Sequence, residues 1–215
     1  RCAMHRLPAA RRWSPSSALV IAGIFSLFGI ILLALLNPLT SFLGTLSLVT
    51  YAFLYTPLKR YSPVSVIVGA IPGALPVLIG MIAHDGVVTT GALFLFAIQF
   101  IWQFPHFWSI GFLSYDQYKH AGYKLLPEDD GQIDRRLGTQ TLVYTCLLIP
   151  VIAIGFIMQL ISIWGAIGLV LVSSYFIWRA WVFYRRFDKA SARALMFSSF
   201  IFLPLALLVL WWGIQ

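Results

Sequence analysis

The chain has 215 residues, of which 60% are hydrophobic and only 10% charged, with a formal net charge of +8. A soluble domain is nearer a quarter charged, so no water-soluble fold of this length hides so much apolar surface, and lipid is the solvent. Cys2 and Cys146 make no metal or redox pattern and suggest no disulfide framework; Cys146 is expected to pack as a small apolar residue inside a helix.

Apolar segments run over 17–36, 41–56, 63–82, 90–112, 137–160, 163–184 and 192–214. Most approach the ~20 residues needed to cross ~30 Å of hydrocarbon; the second is the shortest. The pattern predicts an all-α membrane protein forming one transmembrane domain over 1–215. The first run is long enough to span and is not closed by a small-residue cleavage site, so it reads as a helix and not as a signal peptide. Position 1 is not Met, and the expectation is that the true beginning of the chain lies upstream.

The basic residues fall on alternate connections. Arg1, Arg6, Arg11 and Arg12 precede the first helix, Lys59 and Arg60 follow the second, and Lys119, Lys124, Arg135 and Arg136 follow the fourth. Arg185, Arg186, Lys189 and Arg193 surround the sixth-to-seventh turn, whereas 37–40, 83–89 and 161–162 carry no Lys or Arg. A nucleic-acid patch would not alternate with helix parity. The positive-inside rule places the N-terminus in the cytoplasm and the C-terminus outside.

Between the second and third helices, Pro57 and Pro63 stiffen a turn holding Lys59 and Arg60. The pair reads either as positive-inside flanking or as an anion site, Arg taking phosphate oxygens bidentately and Lys acting as a point charge. Gly69, Gly73 and Gly80, with Pro72 and Pro76, then fall in one apolar helix and are expected to serve close helix packing.

The fourth helix ends in Trp102-Gln103-Phe104-Pro105-His106-Phe107-Trp108. Polar side chains at this depth face protein or water. Gln103 and His106, three residues apart, are expected to line one cavity. His106 reads as a hydrogen-bonded packing residue, a proton acceptor, a haem-iron ligand or a substrate-orienting donor. The aromatic cluster is an interfacial belt or a shelter for a carbocation.

The connection 113–136 that follows holds five of the seven acidic residues: Asp116, Glu128, Asp129, Asp130 and Asp134. The run 128–130 reads as solvated charge. Asp116, beside Tyr115 and Tyr118 at the membrane exit, suits Mg²⁺, which is usually held by one or two carboxylates plus substrate phosphates. A carboxylate on one loop and a base pair on another describe a diphosphate–metal site at a membrane surface.

The strings YTPLKRYSPVSVIVGAIPGALPVLIG and WQFPHFWSIGFLSYDQYKHAGYKLLP resemble the protohaem IX farnesyltransferase (haem O synthase) family of the UbiA superfamily of intramembrane prenyltransferases. The resemblance runs from about Ser14 to the end. It implies a UbiA-type helical bundle of nine helices, of which seven are read here, the first two and the first Asp-rich motif lying upstream. It implies Mg²⁺-dependent farnesyl transfer from farnesyl diphosphate to a vinyl group of haem B, giving haem O for terminal oxidases.

By the same resemblance Asp116 is the metal ligand of the second Asp-rich motif, and Lys59 and Arg60 contact the diphosphate. Tyr55, Trp102, Gln103, His106, Trp108 and Tyr118 are expected to bind substrate, with His106 orienting or ligating haem. Gln117 stands where the family often carries a second Asp, which leaves Asp116 to act alone. The implied location is a bacterial inner membrane with the active side cytoplasmic; the implied partners are the two substrates, the bilayer, and haem A synthase or oxidase assembly factors, with no nucleic acid. A quinone- or chlorophyll-type prenyltransferase, and a membrane transporter or scaffold without catalysis, are the alternatives.

Overall fold

The computed structural model describes residues 14–213. Within them, seven helical spans are long and apolar enough to cross a membrane: Ser16–Leu36, Pro38–Leu58, Ser65–Asp85, Thr90–Leu113, Arg136–Ile157, Ile163–Arg186 and Lys189–Gly213. The expected segments match these closely. The second grows at both ends, because Pro38 opens it and a wider helical turn carries it past Tyr55. The basic stretch around Arg1, Arg6, Arg11 and Arg12 lies outside the described residues.

Helix α1 (Pro15–Leu36) starts at Ser14, whose hydroxyl accepts from the Ser17 N–H, and packs outermost, against α2 (Pro38–Val49). Asn37 makes the sharp turn between them. Its Oδ1 accepts from Thr40 N at 2.8 Å, and its Nδ2 donates to the Ile82 carbonyl at 3.0 Å, joining the turn to the end of α3 (Ser65–Asp85). Past Val49, α2 widens into a π-helical turn over Thr50–Tyr55 and closes with Thr56–Leu58. The cause is local. Pro57 has no N–H to offer the carbonyl four residues back, and Thr56 reaches five back, bonding Tyr51 O through both its N–H and, at 2.8 Å, its hydroxyl.

Helix α4 (Thr90–Leu113) is the centre of the bundle and packs against α3, α6 (Arg136–Cys146), α7 (Leu148–Ile157) and α9 (Lys189–Gly213). The α6–α7 break follows from Pro150, which leaves the Cys146 carbonyl without its helical donor. Cys146 ends α6 exposed on the outer surface, contrary to the expectation that it packs inside. Helices α8 (Ile163–Arg186) and α9 run antiparallel with Gly165 against Gly213 and Phe176 stacked on Phe202 at 5.2 Å. Without a hydrophobic drive in lipid, such close small-residue contacts carry helix association.

The connection 114–135 is more ordered than a solvated loop. It holds the short helix α5 (Tyr115–His120) and a hairpin, β1 (Glu128–Asp129) with β2 (Gln132–Ile133). Asp130 and Gly131 both have positive φ, 46° and 77°, at its two-residue turn, which is the Asp-Gly chemistry that turns of this hand demand. Sequential spans bring the connections 59–64, 114–135 and 187–188 to one end of the bundle.

At that end Asp188 starts α9, accepting from Ser191 N and Oγ at 2.7 Å each. These bonds, the backbone one first, hold its carboxyl below the usual carboxylate range. A depressed folded-state pKa contributes stability above the unfolded value and loses it as pH falls through the folded one. The expected result is faster amide exchange at Ser191 and Ala192, relative to intrinsic rates, below about pH 4. Asp188→Asn is expected to blunt that pH response, read by exchange mass spectrometry.

Candidate active site

A cavity of about 540 Å³ lies between α2, α3, α4 and the segment after α5. Its walls are largely apolar: Tyr51 and Tyr55 from the π-helical turn, Val66, Gly69, Pro72 and Gly73 from α3, and Phe107, Ile110 and Gly111 from α4. Tyr118, Leu125 and Leu126 close the loop end, and Ser47 stands at the other.

Backbone chemistry shapes this space. Gly69 is where the Tyr55 ring lies, since a Cβ there would meet ring carbons at 2.7 Å. Pro76 removes the donor for the Pro72 carbonyl, and Ser47 Oγ turns to it at 3.5 Å. The π-helical turn packs Tyr51 against Tyr55, rings tilted by 34° with centroids 5.4 Å apart; such turns are frequent at functional sites. Gly69 and Gly73, expected to serve packing, therefore also form the cavity wall.

The expected charged residues lie on the connections at the loop end of the bundle, outside the cavity lining. Lys59 Nζ lies over the Tyr123 ring at 4.9 Å and the Tyr55 ring at 5.6 Å. Its backbone carbonyl accepts from Lys124 N at 2.8 Å, so the Lys59–Arg60 turn and the segment after α5 are joined. Arg60 is exposed. Asp116, 74% exposed, has Oδ2 3.7 Å from Lys189 Nζ, which links α5 to the first residue of α9. Lys119 Nζ and Tyr115 Oη both donate to Gly131 O, at 2.7 and 3.1 Å, and anchor the hairpin to α5. Partial burial, and then Glu128, push the Tyr115 phenol up.

Of the expected substrate-binding residues, the structure brings Tyr55 and Tyr118 to the cavity and seats the other four in helix interfaces. Gln103 Nε2 donates to Ala70 O at 2.7 Å across the α3–α4 crossing. Trp102 Nε1 donates to Ser199 O at 2.9 Å, toward α9. His106 stacks on Trp102 at 4.9 Å, meets Phe200 edge-on, and bonds Ser199 Oγ through Nδ1 at 2.7 Å. The Ser199 hydroxyl gives its one proton to Met196 O, so Nδ1 is the donor and His106 carries its proton there. Trp108 packs on Tyr144 and Phe104.

Gln103 and His106 thus do not line one cavity. Three residues at 3.6 per turn leave them ~60° apart, enough for each to meet a different neighbour. The cavity takes Phe107 and Ile110 instead, from the face between the two interfaces. Tyr51 and Ser47 were missed, and Phe107 was read only as one of the aromatic cluster; the i, i+4 spacing of Tyr51 and Tyr55 was the available signal.

Gly73 faces the Gln103 side-chain oxygen so closely that a methyl group displaces it. Gly73→Ala is expected to strain or break the bond to Ala70 and orphan a buried amide, costing about 1–3 kcal/mol. Thermal unfolding in detergent checks it, with Gly80→Ala, where nothing lies within 4 Å, as the neutral comparison.

Among the described residues no three His, Cys, Asp or Glu side chains cluster to hold a metal ion. The donor set fits Mg²⁺ only in a sparse form: Asp116 as the one protein carboxylate, with diphosphate and water oxygens completing the shell.

The comparisons agree with this architecture. A solved structure described as digeranylgeranylglyceryl phosphate synthase in membranes matches with a TM-score of 0.79 over 95% of this chain and 72% of its own, at 17% identity, which shows the shared fold. Protoheme IX farnesyltransferases of Christiangramia forsetii and Flavobacterium johnsoniae are each 38% identical, over 94% and 95% of this chain and 68% and 69% of their own length. That of Cytophaga hutchinsonii is 38% identical over 87% of this chain and 66% of its own. The chain thus spans about two thirds of the length of these relatives. With the model of the UbiA prenyltransferase family matching residues 2–212, the chain belongs to that family, in its protohaem IX farnesyltransferase branch.

Proposed function

We propose that this protein transfers the farnesyl group of farnesyl diphosphate to a vinyl group of haem B, giving haem O. The observation that carries the reading is the cavity: largely apolar, lined at its loop end by Tyr55 and Tyr118, with Lys59 Nζ over the Tyr55 ring. Such a space suits an amphiphile with a prenyl tail and an anionic head. The relatives' names supply the donor and acceptor.

In the proposed reaction the C1–O bond of the allylic diphosphate breaks and the electron pair leaves with diphosphate. Lys59 and Arg60 neutralise the charge that develops on the leaving oxygens, the kind of fixed electrostatic stabilisation that dominates such steps. Asp116 would hold Mg²⁺, which supplies Lewis-acid charge to the diphosphate. The aromatic faces of Tyr51, Tyr55 and Phe107 shelter the allylic cation from water. The vinyl group then supplies the electron pair for the new C–C bond. Water adds to the resulting cation and loses a proton, leaving the hydroxyethyl carbon. Burial of Trp102, Gln103, His106 and Trp108 favours a role for these four in setting the helix positions.

The basic residues at the loop end favour a cytoplasmic active side in a bacterial inner membrane. The proposal keeps a single prenyltransferase domain and allows for hand-over to haem A synthase or oxidase assembly factors. Incubating membranes containing the protein with labelled farnesyl diphosphate, haem B and a quinone precursor tests the reading. Labelled haem O is the expected product; a labelled quinone with no haem O would replace the acceptor, and no diphosphate release at all would favour a transporter or scaffold.

A further inference from the structure

Away from the farnesyl cavity, a second concavity of about 550 Å³ lies at the same end of the bundle, between the start of α6 and the end of α8. It is lined by Asp134, Arg135, Arg136, Thr139, Tyr184 and Arg185. Three guanidinium groups thus face one carboxylate, and that carboxylate is engaged. Asp134 Oδ1 accepts from Arg136 N at 2.8 Å, and Oδ2 lies 3.8 Å from Arg136 Nε. The Arg135 guanidinium rests over the Phe187 ring, Cζ 5.5 Å from the centroid; a guanidinium held by its face keeps the N–H donors at its edge for other acceptors. The Tyr184 and Thr139 hydroxyls complete a donor-rich bowl.

What lies below the bowl narrows the ligand. One and two turns on from Thr139, Val143 of α6 and Leu147 just past its end are exposed on the outer surface, and on α8 Trp181 is exposed one turn below Tyr184. The surface therefore changes from guanidinium to hydroxyl to apolar along the membrane normal, the same order as headgroup phosphate, glycerol and acyl chain. A soluble anion would use the first layer alone. Arg forks match phosphate oxygens bidentately, and basic pockets between membrane helices hold anionic headgroups.

We propose that this pocket binds the headgroup phosphate of an anionic phospholipid, with the acyl chains along Val143, Leu147 and Trp181. The site is separate from the prenyl-transfer machinery and does not depend on the activity assigned to it.

Native mass spectrometry of the protein released from nanodiscs of equal phosphatidylglycerol and phosphatidylcholine tests the proposal. The expected result is retained phosphatidylglycerol in preference to phosphatidylcholine, falling at least about tenfold in R136Q/R185Q, as two lost surface cations imply. R193Q, which removes a cation of α9 outside the pocket, is expected to leave retention unchanged. R136K/R185K keeps the charge and is expected to retain an intermediate amount; it also serves if the neutral pair fails to fold. Equal loss in R193Q would show general surface attraction and overturn the site. So would the absence of any preference for phosphatidylglycerol, including the case in which inorganic phosphate binds the pocket and lipid does not.

Discussion

Replacing Asp116 by Ala is expected to lower farnesyl transfer by at least about a hundredfold, the loss typical when one preorganised electrostatic group is removed, while the protein still folds and inserts. The two halves of this expectation rest on different features. Asp116 is 74% exposed, and its one ion pair among the described residues, to Lys189, is 3.7 Å long and also exposed. Such pairs contribute ~0–1 kcal/mol, so stability has little to lose. For catalysis Asp116 is the one carboxylate on α5, and Gln117 beside it is neutral. Haem O formed from farnesyl diphosphate and haem B, together with the elution profile in detergent, measures both halves. Unchanged haem O yield would remove Asp116 from the site; loss of the monodisperse peak would make its role structural. Lys189→Ala separates the ion pair from the carboxylate, and it is expected to leave transfer within a few-fold of the parent.

The seven spans were legible in the sequence because lipid enforces a simple rule. A backbone that must satisfy its own polar groups forms helices wherever some twenty apolar residues run together. The loop end was legible for a similar reason, since Lys and Arg record topology directly. Asp116, Lys59 and Arg60 drew attention because they are charges in a chain that has few. The inner wall of the cavity was harder. Within α4 every residue from Phe100 to Trp108 except Gln103 and His106 is apolar or aromatic, and composition does not say which face meets α3, which meets α9 and which stays open. The polar pair drew attention, and both members are satisfied in interfaces, Gln103 by Ala70 and His106 by Ser199. Their partners lie 33 and 93 residues away in sequence, beyond the reach of any local pattern. The π-helical turn at Thr50–Tyr55 was also out of reach, although Pro57 explains it once it is seen.

The depth of the cavity offers the second large effect. Ser47 sits on α2 more than two turns from the Lys59–Arg60 loop, at the far end from Tyr118 and Leu126. A prenyl chain entering head-last from the loop end would bring its terminal isoprene unit toward Ser47 and Pro72. Ser47→Phe places a ring in that space, and the hydrogen bond it removes is a long one, 3.5 Å to the Pro72 carbonyl, so the direct cost to stability is at most about 1 kcal/mol. The expected result is a fall of at least about tenfold in kcat/KM for farnesyl diphosphate, with a smaller fall for the ten-carbon geranyl diphosphate. One isoprene unit excluded from an apolar pocket is worth several buried methylenes at ~0.8 kcal/mol each, which is ample for that discrimination. Parent-like kcat/KM for both donors would mean that the tail does not run along Gly73 and Ser47. Equal loss for both donors would put the ring across the path of the first isoprene units instead. Tyr118→Ala, at the loop end, is expected to weaken both donors alike, because every prenyl diphosphate places its first unit there whatever the length of its tail.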